Sequence, residues 1–313
     1  MNITKPVKKR ILVIKLGAMG DIVQATGPFE AIRSHHLNSH ITLLTTNKYV
    51  DFAKSGNWFD DVWIDERPTW FDPQGWIKLA KRLHNNNFYR VYDLQTSDRT
   101  AIIFFLLRFG KKPEWSGSVY GCSHRHINPS RNLMHTIERQ AEQLAIADIN
   151  NVPAPSFNCI EASSINFDLS KPYVLLVPGG SAHRLNKRWP KNNYAQLAIR
   201  LVNKNILPVV IGHKSEEELA RYISGLCPES KDLTNKTSMI DIIALARQAA
   251  GAVGNDTGPM HVIATSGTPS LAIYSHASDP AICGQRGSNV SIIRQQSLKN
   301  LSVDEVEASL QLR

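Results

Sequence analysis

The sequence predicts an α/β protein made of two Rossmann-like halves, and three observations carry that reading. The chain has 313 residues, more than the ~100–200 usual for one domain. Short apolar runs alternate with amphipathic stretches, the pattern of a mostly parallel sheet with helices on both faces. The alternation fails between about 150 and 172, where Pro153, Pro155 and Pro172 fall, and then restarts. Domains of 1–160 and 161–313 follow from that break.

Residues 11–15 (ILVIK) read as a strand buried on both faces, followed by a glycine-bearing turn and a helix from about 21 to 32. Strands are predicted at 41–45 (ITLLT), 62–64 and 91–94 (VYDL), with a helix around 75–83 before the last. The second half opens with a strand at 173–178 (YVLLVP), a Gly-Gly-Ser turn, a helix over 194–204, a strand at 207–212 (LPVVIG) and a helix over 216–226. A helix over 239–249, a strand at 252–254, a helix from about 258 and a strand at 270–274 (SLAIY) complete the repeat. A last helix near 303–310 could pack back on either domain, the N-terminal one included. Two such halves facing each other enclose a cleft lined by the carboxyl ends of the strands, where open α/β sheets bind ligands.

Composition narrows the class. Hydrophobic residues make up 42% and charged residues 20%, as in an ordinary globular protein. The net charge is +9, and Lys and Arg outnumber Asp and Glu by 20 to 14 in residues 1–157 and by 16 to 13 in 158–313. That excess suits an anionic partner such as a phosphate-bearing lipid or an anionic glycan. Aromatic residues are not interleaved with basic ones in any stacking platform, so nucleic-acid binding is not expected.

Cys122, Cys159, Cys227 and Cys283 lie far apart, with no C-x-x-C pair, which argues against a disulfide or zinc framework and suits a reducing compartment. His124 and His126 beside Cys122 lack a fourth ligand and the usual zinc spacing. ILVI is too short for a signal peptide, and the most apolar later stretch, 101–107, is bounded by Arg99 and Arg108, far short of the roughly 20 residues that span a bilayer. The expectation is a cytoplasmic protein, any membrane contact of which is peripheral.

Three motifs sit at strand ends. In GAMGD (17–21) the two glycines allow a tight turn and close approach of a ligand to the backbone, as at Gly20. Asp21 then serves either as a helix cap or as a general base facing the cleft. The dinucleotide fingerprint G-x-G-x-x-G is absent. In NDTGPMH (255–261), Thr257 and Gly258 would leave N–H groups free at a helix N-terminus, a site suited to a diphosphate, with Pro259 in the first turn. His261, one turn in, reaches the same anion or is simply packed. PGGS (178–181) and NKRWP (186–190) combine glycines, the Ser181 hydroxyl, Lys187 and Arg188 as a phosphate cradle, or else as a solvated basic loop anchored by Trp189 and Pro190.

Together, ILVIKLGAMGDIVQATGPFEAIR, VPGGS with NKRWP, and GNDTGPMHVIATSGTPSLAIY resemble glycosyltransferase family 9, the ADP-heptose:lipopolysaccharide heptosyltransferases, over nearly the whole chain. The resemblance implies a GT-B fold, with the acceptor on the N-terminal domain and the nucleotide sugar on the C-terminal one. It implies Asp21 as catalytic base, Lys187 on donor phosphate, and Asp256, Thr257, Gly258 and His261 on diphosphate and sugar. It places the ribose contact at Glu216, beside Glu217 and Glu218, and the adenine side near 237–239, at Thr237 and Met239. Gly20 and Ser181 join the donor set. From 275 the chain departs from the family pattern, reading SHASDPAICGQRG, which bears on donor choice.

The reaction the resemblance implies is inverting transfer of a heptose-like sugar from a nucleotide diphosphate donor, ADP-heptose in the family pattern, to a lipid-linked anionic glycan such as the lipopolysaccharide core, at the inner face of the inner membrane. It needs no cofactor, and without a D-x-D pair it is expected to need no metal. Arg99, Arg125 and Arg131, with Lys111 and Lys112, are acceptor candidates, or else solvated surface. The rival reading is a catalytically silent nucleotide-sugar-binding protein.

Overall fold

A computed structural model describes residues 8–162, 167, 169, 171–180 and 184–313. The chain divides into two compact units, 1–155 and 156–313.

The first unit runs β1 (Arg10–Ile14), α1 (Met19–Gln24), α2 (Thr26–His35), β2 (His40–Thr45), α3 (Val50–Ser55), β3 (Asp61–Ile64), α4 (Pro73–Asn85), β4 (Arg90–Asp93), α5 (Asp98–Leu107), β5 (Glu114–Gly117), β6 (His124–Arg125) and α6 (Thr136–Ala145). Its sheet has the order β3-β2-β1-β4-β5-β6, and every pairing is parallel. The central strand β1 carries four consecutive apolar side chains, Ile11 to Ile14, all fully buried, as a strand covered on both faces requires.

The predicted helix over 21–32 is two helices, broken at Ala25. Pro28 is the reason: it has no N–H to donate to Gln24, and its ring would clash with that carbonyl in a continuous helix.

The second unit runs β7 (Tyr173–Val177), α7 (Lys191–Asn203), β8 (Leu207–Val210), α8 (Glu217–Leu226), β9 (Lys231–Asp232), α9 (Met239–Gln248), β10 (Gly251–Asn255), α10 (Gly258–Thr265), β11 (Ser270–Ser275), α11 (Pro280–Cys283), β12 (Val290–Gln295) and α12 (Val303–Ser309). The all-parallel order β12-β11-β10-β7-β8-β9 repeats the first sheet strand for strand. In each unit the strand order reverses between the first and fourth strands, β1 and β4 or β7 and β10. The crevice beyond their carboxyl ends is where such sheets hold ligands.

One boundary differs from the sequence reading. Residues 156–160 belong to the second unit, because Arg247 of α9 donates to the carbonyls of Phe157 (2.8 Å) and Ile160 (3.1 Å). The last helix packs on α7 of its own unit: Val303 and Val306 join the core around Tyr194 and Leu197, and Arg200 pairs with Asp304 and Glu307.

Candidate functional site

The second unit's strand ends are organised by Asn255, the last residue of β10, which is fully buried. Its Nδ2 donates to the carbonyls of Pro178 (2.8 Å) and Gly179 (3.0 Å), and its Oδ1 accepts from Trp189 N–H (2.9 Å) and the Tyr194 hydroxyl (3.1 Å). One neutral amide thus fixes the PGG turn, the NKRWP loop and α7 around one point. Trp189 is buried, and its indole N–H donates to Leu301 O (2.9 Å), so the residue serves as the packing anchor of that loop.

Around this clamp the charged groups converge. Lys187 Nζ donates to Asp256 Oδ2 at 2.8 Å, with both side chains largely buried. Burial pushes the Asp256 carboxyl up, but Lys187 outweighs it and holds the carboxyl below its ordinary value. Arg188 donates to Gly180 O and lies 4.0 Å from Glu216. Thr257 precedes α10 without a side-chain capping bond, and its buried hydroxyl has no hydrogen-bond partner among the described residues. Pro259 falls in the first turn, and His261 is buried one turn in. The result is a helix N-terminus uncapped by its own side chain, beside an ordered lysine, which is the equipment of an anion site.

Of the three glutamates at 216–218, Glu216 alone is buried; it packs under Gly179, where an added Cβ would lie 2.9 Å away. Its carboxylate accepts His213 N–H (2.6 Å) and the Ser215 hydroxyl (3.0 Å). Met239 is buried at the start of α9, and Thr237 is partly exposed just before it. Ser181 lies outside the described residues.

In the first unit the turn after β1 is held from three sides. Leu16 N–H donates to Gln95 Oε1 (2.9 Å), Thr46 Oγ1 donates to Leu16 O (3.2 Å), and the Tyr49 ring packs against Gly17. Gly17 has φ +131°, a conformation open to glycine, and a Cβ there would meet Tyr49 at 2.9 Å. Gly20 follows in α1, partly exposed like Asp21. One carboxylate oxygen of Asp21 accepts Ala18 N–H (3.0 Å), so the cap reading and the base reading concern the same anchored, solvent-accessible carboxylate.

Beside it lies a couple that sequence reasoning missed. Lys15 is buried, and its ammonium donates to Leu94 O (3.1 Å). Burial pulls its pKa down, Asp21 and Asp93 oppose that shift, and Arg139 and Arg131 add to it. Asp93, at the end of β4, is pushed up to about 6 by burial, although it accepts the N–H groups of Thr96 (2.8 Å) and Gln95 (3.1 Å).

The three arginine candidates are not alike. Arg131 joins this group, donating to His126 Nδ1 (3.0 Å) and Thr96 Oγ1 (3.1 Å). Arg125 is exposed over the Tyr120 ring. Arg99 forms a forked pair with buried Asp65 (2.6 Å to each oxygen), and its guanidinium lies over Trp76. Cys122, His124 and His126 do not form a metal cluster: His126 faces Glu142 (3.2 Å), His124 bonds Ser123 (3.1 Å), and no metal-holding group occurs among the described residues.

The family model for glycosyltransferase family 9 (heptosyltransferase) matches residues 76–310. The chain belongs to glycosyltransferase family 9. It is therefore a glycosyltransferase, and its two parallel six-stranded sheets are the paired Rossmann-like units of the GT-B fold. The lipopolysaccharide core heptosyltransferase OpsX of Haemophilus influenzae is 23% identical over 86% of this chain and 79% of that relative. Lipopolysaccharide heptosyltransferase 2 of Salmonella typhimurium is 24% identical over 64% of each chain. Among solved structures, the E. coli ADP-heptose heptosyltransferase II superposes with TM-score 0.79 at 20% identity, covering 96% of this chain and 97% of that one. A family 9 glycosyltransferase from Veillonella parvula gives TM-score 0.81 at 17% identity, covering 96% and 95%. E. coli heptosyltransferase WaaC with ADP gives TM-score 0.76 at 18% identity, covering 96% and 98%.

Proposed function

We propose that this family 9 enzyme transfers a heptose from ADP-heptose to a hydroxyl of the lipopolysaccharide core, with inversion and without a metal ion. The observation that carries the donor half is the convergence of Lys187, Asp256 and the N-terminus of α10 on the second unit's switch point. The family 9 relatives named for lipopolysaccharide heptose transfer, and the WaaC structure holding ADP, support the choice of substrates.

In the proposed reaction the acceptor oxygen attacks the anomeric carbon, the bond from that carbon to the diphosphate oxygen breaks, and ADP leaves with the electron pair. The acceptor proton passes to Asp21, a contribution of about 10²- to 10⁴-fold. Lys187 and the N–H groups at Thr257 and Gly258 face the charge developing on the diphosphate. Asp256 is a positioning residue in this scheme, since a bare carboxylate would repel the diphosphate and its role is to hold Lys187. That ion pair also engages the carboxylate at this strand end that a divalent ion would otherwise want, which supports the metal-free reading. Glu216, Thr237 and Met239 take the nucleoside, His261 and Gly20 flank the donor, and Ser181 adds a hydroxyl. Arg131, Arg125 and Arg99 meet the acceptor's anionic groups from the first unit. The enzyme then works at the cytoplasmic face of the inner membrane, with peripheral contact.

The test is a transfer assay with ADP-, GDP- and UDP-sugars, with and without EDTA, on a core glycan lacking its outer heptose. The proposal expects turnover with ADP-heptose that EDTA does not diminish. Nucleotide-sugar binding without turnover on any core acceptor would replace it with the silent binding protein.

A further inference from the structure

Helix α5 has the wrong surface for a helix on the outside of a water-soluble domain. After Asp98 and Arg99 its sequence is TAIIFFLL, apolar on every side. Ile103, Phe104 and Leu107 are buried in the core with Trp115. Ile102, Phe105 and Leu106 sit at the i, i+3, i+4 spacing of one helix face, and Phe109 lies just past the helix end. That second stripe is not covered: Phe105 is 52% and Phe109 87% exposed, and Ile102 and Leu106 are partly exposed. A helix apolar all round is ordinarily enclosed on every side, yet here one side faces out.

The surroundings indicate what covers it. Arg108, Lys111 and Lys112 follow the helix at once, all exposed. A cavity of about 240 Å³ at the same end has Phe104, Leu107 and Trp115 in its lining together with Arg108 and Lys112. α4 lies alongside: His84 bonds Leu106 O (3.0 Å) at one end, and Arg99 stacks on Trp76 at the other. The loop leading into α4, tied to Arg99 through Pro68 O (3.2 Å), presents Trp70 at 76% and Phe71 at 96% exposure. Exposed aromatic and aliphatic side chains beside clustered cations match the chemistry of an anionic lipid surface, whose acyl boundary takes the rings and whose phosphates take the lysines.

We propose that the outer face of α5, through Phe105, together with Phe109 and the cations just past its C-terminal end, seats the enzyme on an anionic bilayer. No helix among the described residues is long and apolar enough to cross a membrane, so the contact is interfacial. The inference deepens the transferase reading by naming the surface from which a lipid-borne acceptor would be met, and it rests on that reading only for the acceptor's identity.

The experiment is sedimentation of the full chain with vesicles of phosphatidylethanolamine and phosphatidylglycerol, against vesicles of phosphatidylcholine alone. The same protein is assayed for transfer to a soluble, delipidated acceptor. The proposal expects binding to the anionic vesicles only, weakened by salt, and at least about tenfold weaker in the Phe105→Ser/Phe109→Ser double variant. Soluble-acceptor turnover of that variant stays unchanged, which also shows that it is folded. Failure of the transferase reading would appear as missing turnover with vesicle binding intact. Equal binding to both vesicle types, or anionic binding that survives the double substitution, overturns the proposal. So does a wild-type dimer that the substitutions dissociate, which would make a second copy the occupant.

Discussion

The two units share one strand order, but they end their fourth strands differently. β10 ends in Asn255, a neutral amide that makes four hydrogen bonds to three surrounding segments. β4 ends in Asp93, a buried carboxyl pushed up to about 6, with the buried ammonium of Lys15 nearby. A neutral clamp fixes geometry without offsetting the positive potential that an anionic donor needs. A titratable one leaves the local charge open to adjustment beside Asp21, the proton acceptor of the proposed reaction. One topology thus builds a rigid cradle in one unit and an electrostatically tuned turn in the other.

The largest expected effect breaks the cradle. Asn255→Leu is nearly isosteric but strands two carbonyls and an N–H, buried groups costing about 1–3 kcal/mol each when unpaired, and leaves the Tyr194 hydroxyl only its 3.4 Å bond to Val177 O. A loss of roughly 3–5 kcal/mol in the second unit's stability is expected in urea unfolding, after partial relaxation. Loss under about 1 kcal/mol would show that the clamp is dispensable.

The first unit's counterpart is read through pH. The folded pKa of Asp93, about 6, lies above its ordinary 3.8, so between those values the folded state keeps a proton that the unfolded state releases. Stability from this group is complete below about pH 4 and falls as pH rises through about 6, by at most about 3 kcal/mol. Asp93→Asn removes that slope, and unfolding midpoints measured from pH 4 to 7 would show it; identical slopes in both proteins would refute the tuned-turn view. The smallest effect is expected at Gly17→Ala, where the positive φ and the Tyr49 ring together cost roughly 1–2 kcal/mol. Its mark is a lower kcat with donor affinity unchanged, because the turn that carries Asp21 belongs to the first unit.

Much of this was legible in the chain because it is local. The buried strands β1, β7 and β10 announce themselves as apolar runs, and the residues of the cradle lie within contiguous motifs, 178–181, 186–190 and 255–261. The Lys15 and Asp93 couple was not legible, since strand pairing brings together residues about 79 apart, as the bond from Lys15 to Leu94 shows. Helix α6 was missed because several of its buried positions are polar: Thr136, Gln140 and Gln143. Gln143 faces inward to donate to Asp93 O (2.9 Å), a bond that no hydrophobic period reveals. The 101–107 run was visible as apolar, but only the fold shows that one side of it stays uncovered.

The division of labour between the units is tested most directly by measuring ADP affinity and turnover on the same preparations of Asp21→Asn and Lys187→Met. Asp21→Asn should keep ADP affinity within about threefold and lose kcat by about 10²- to 10⁴-fold. Lys187→Met should weaken ADP binding by roughly 10- to 100-fold, the loss of one charge-assisted contact. Full turnover in Asp21→Asn, or undiminished ADP binding in Lys187→Met, would contradict the assignment of proton transfer to one unit and donor phosphate to the other.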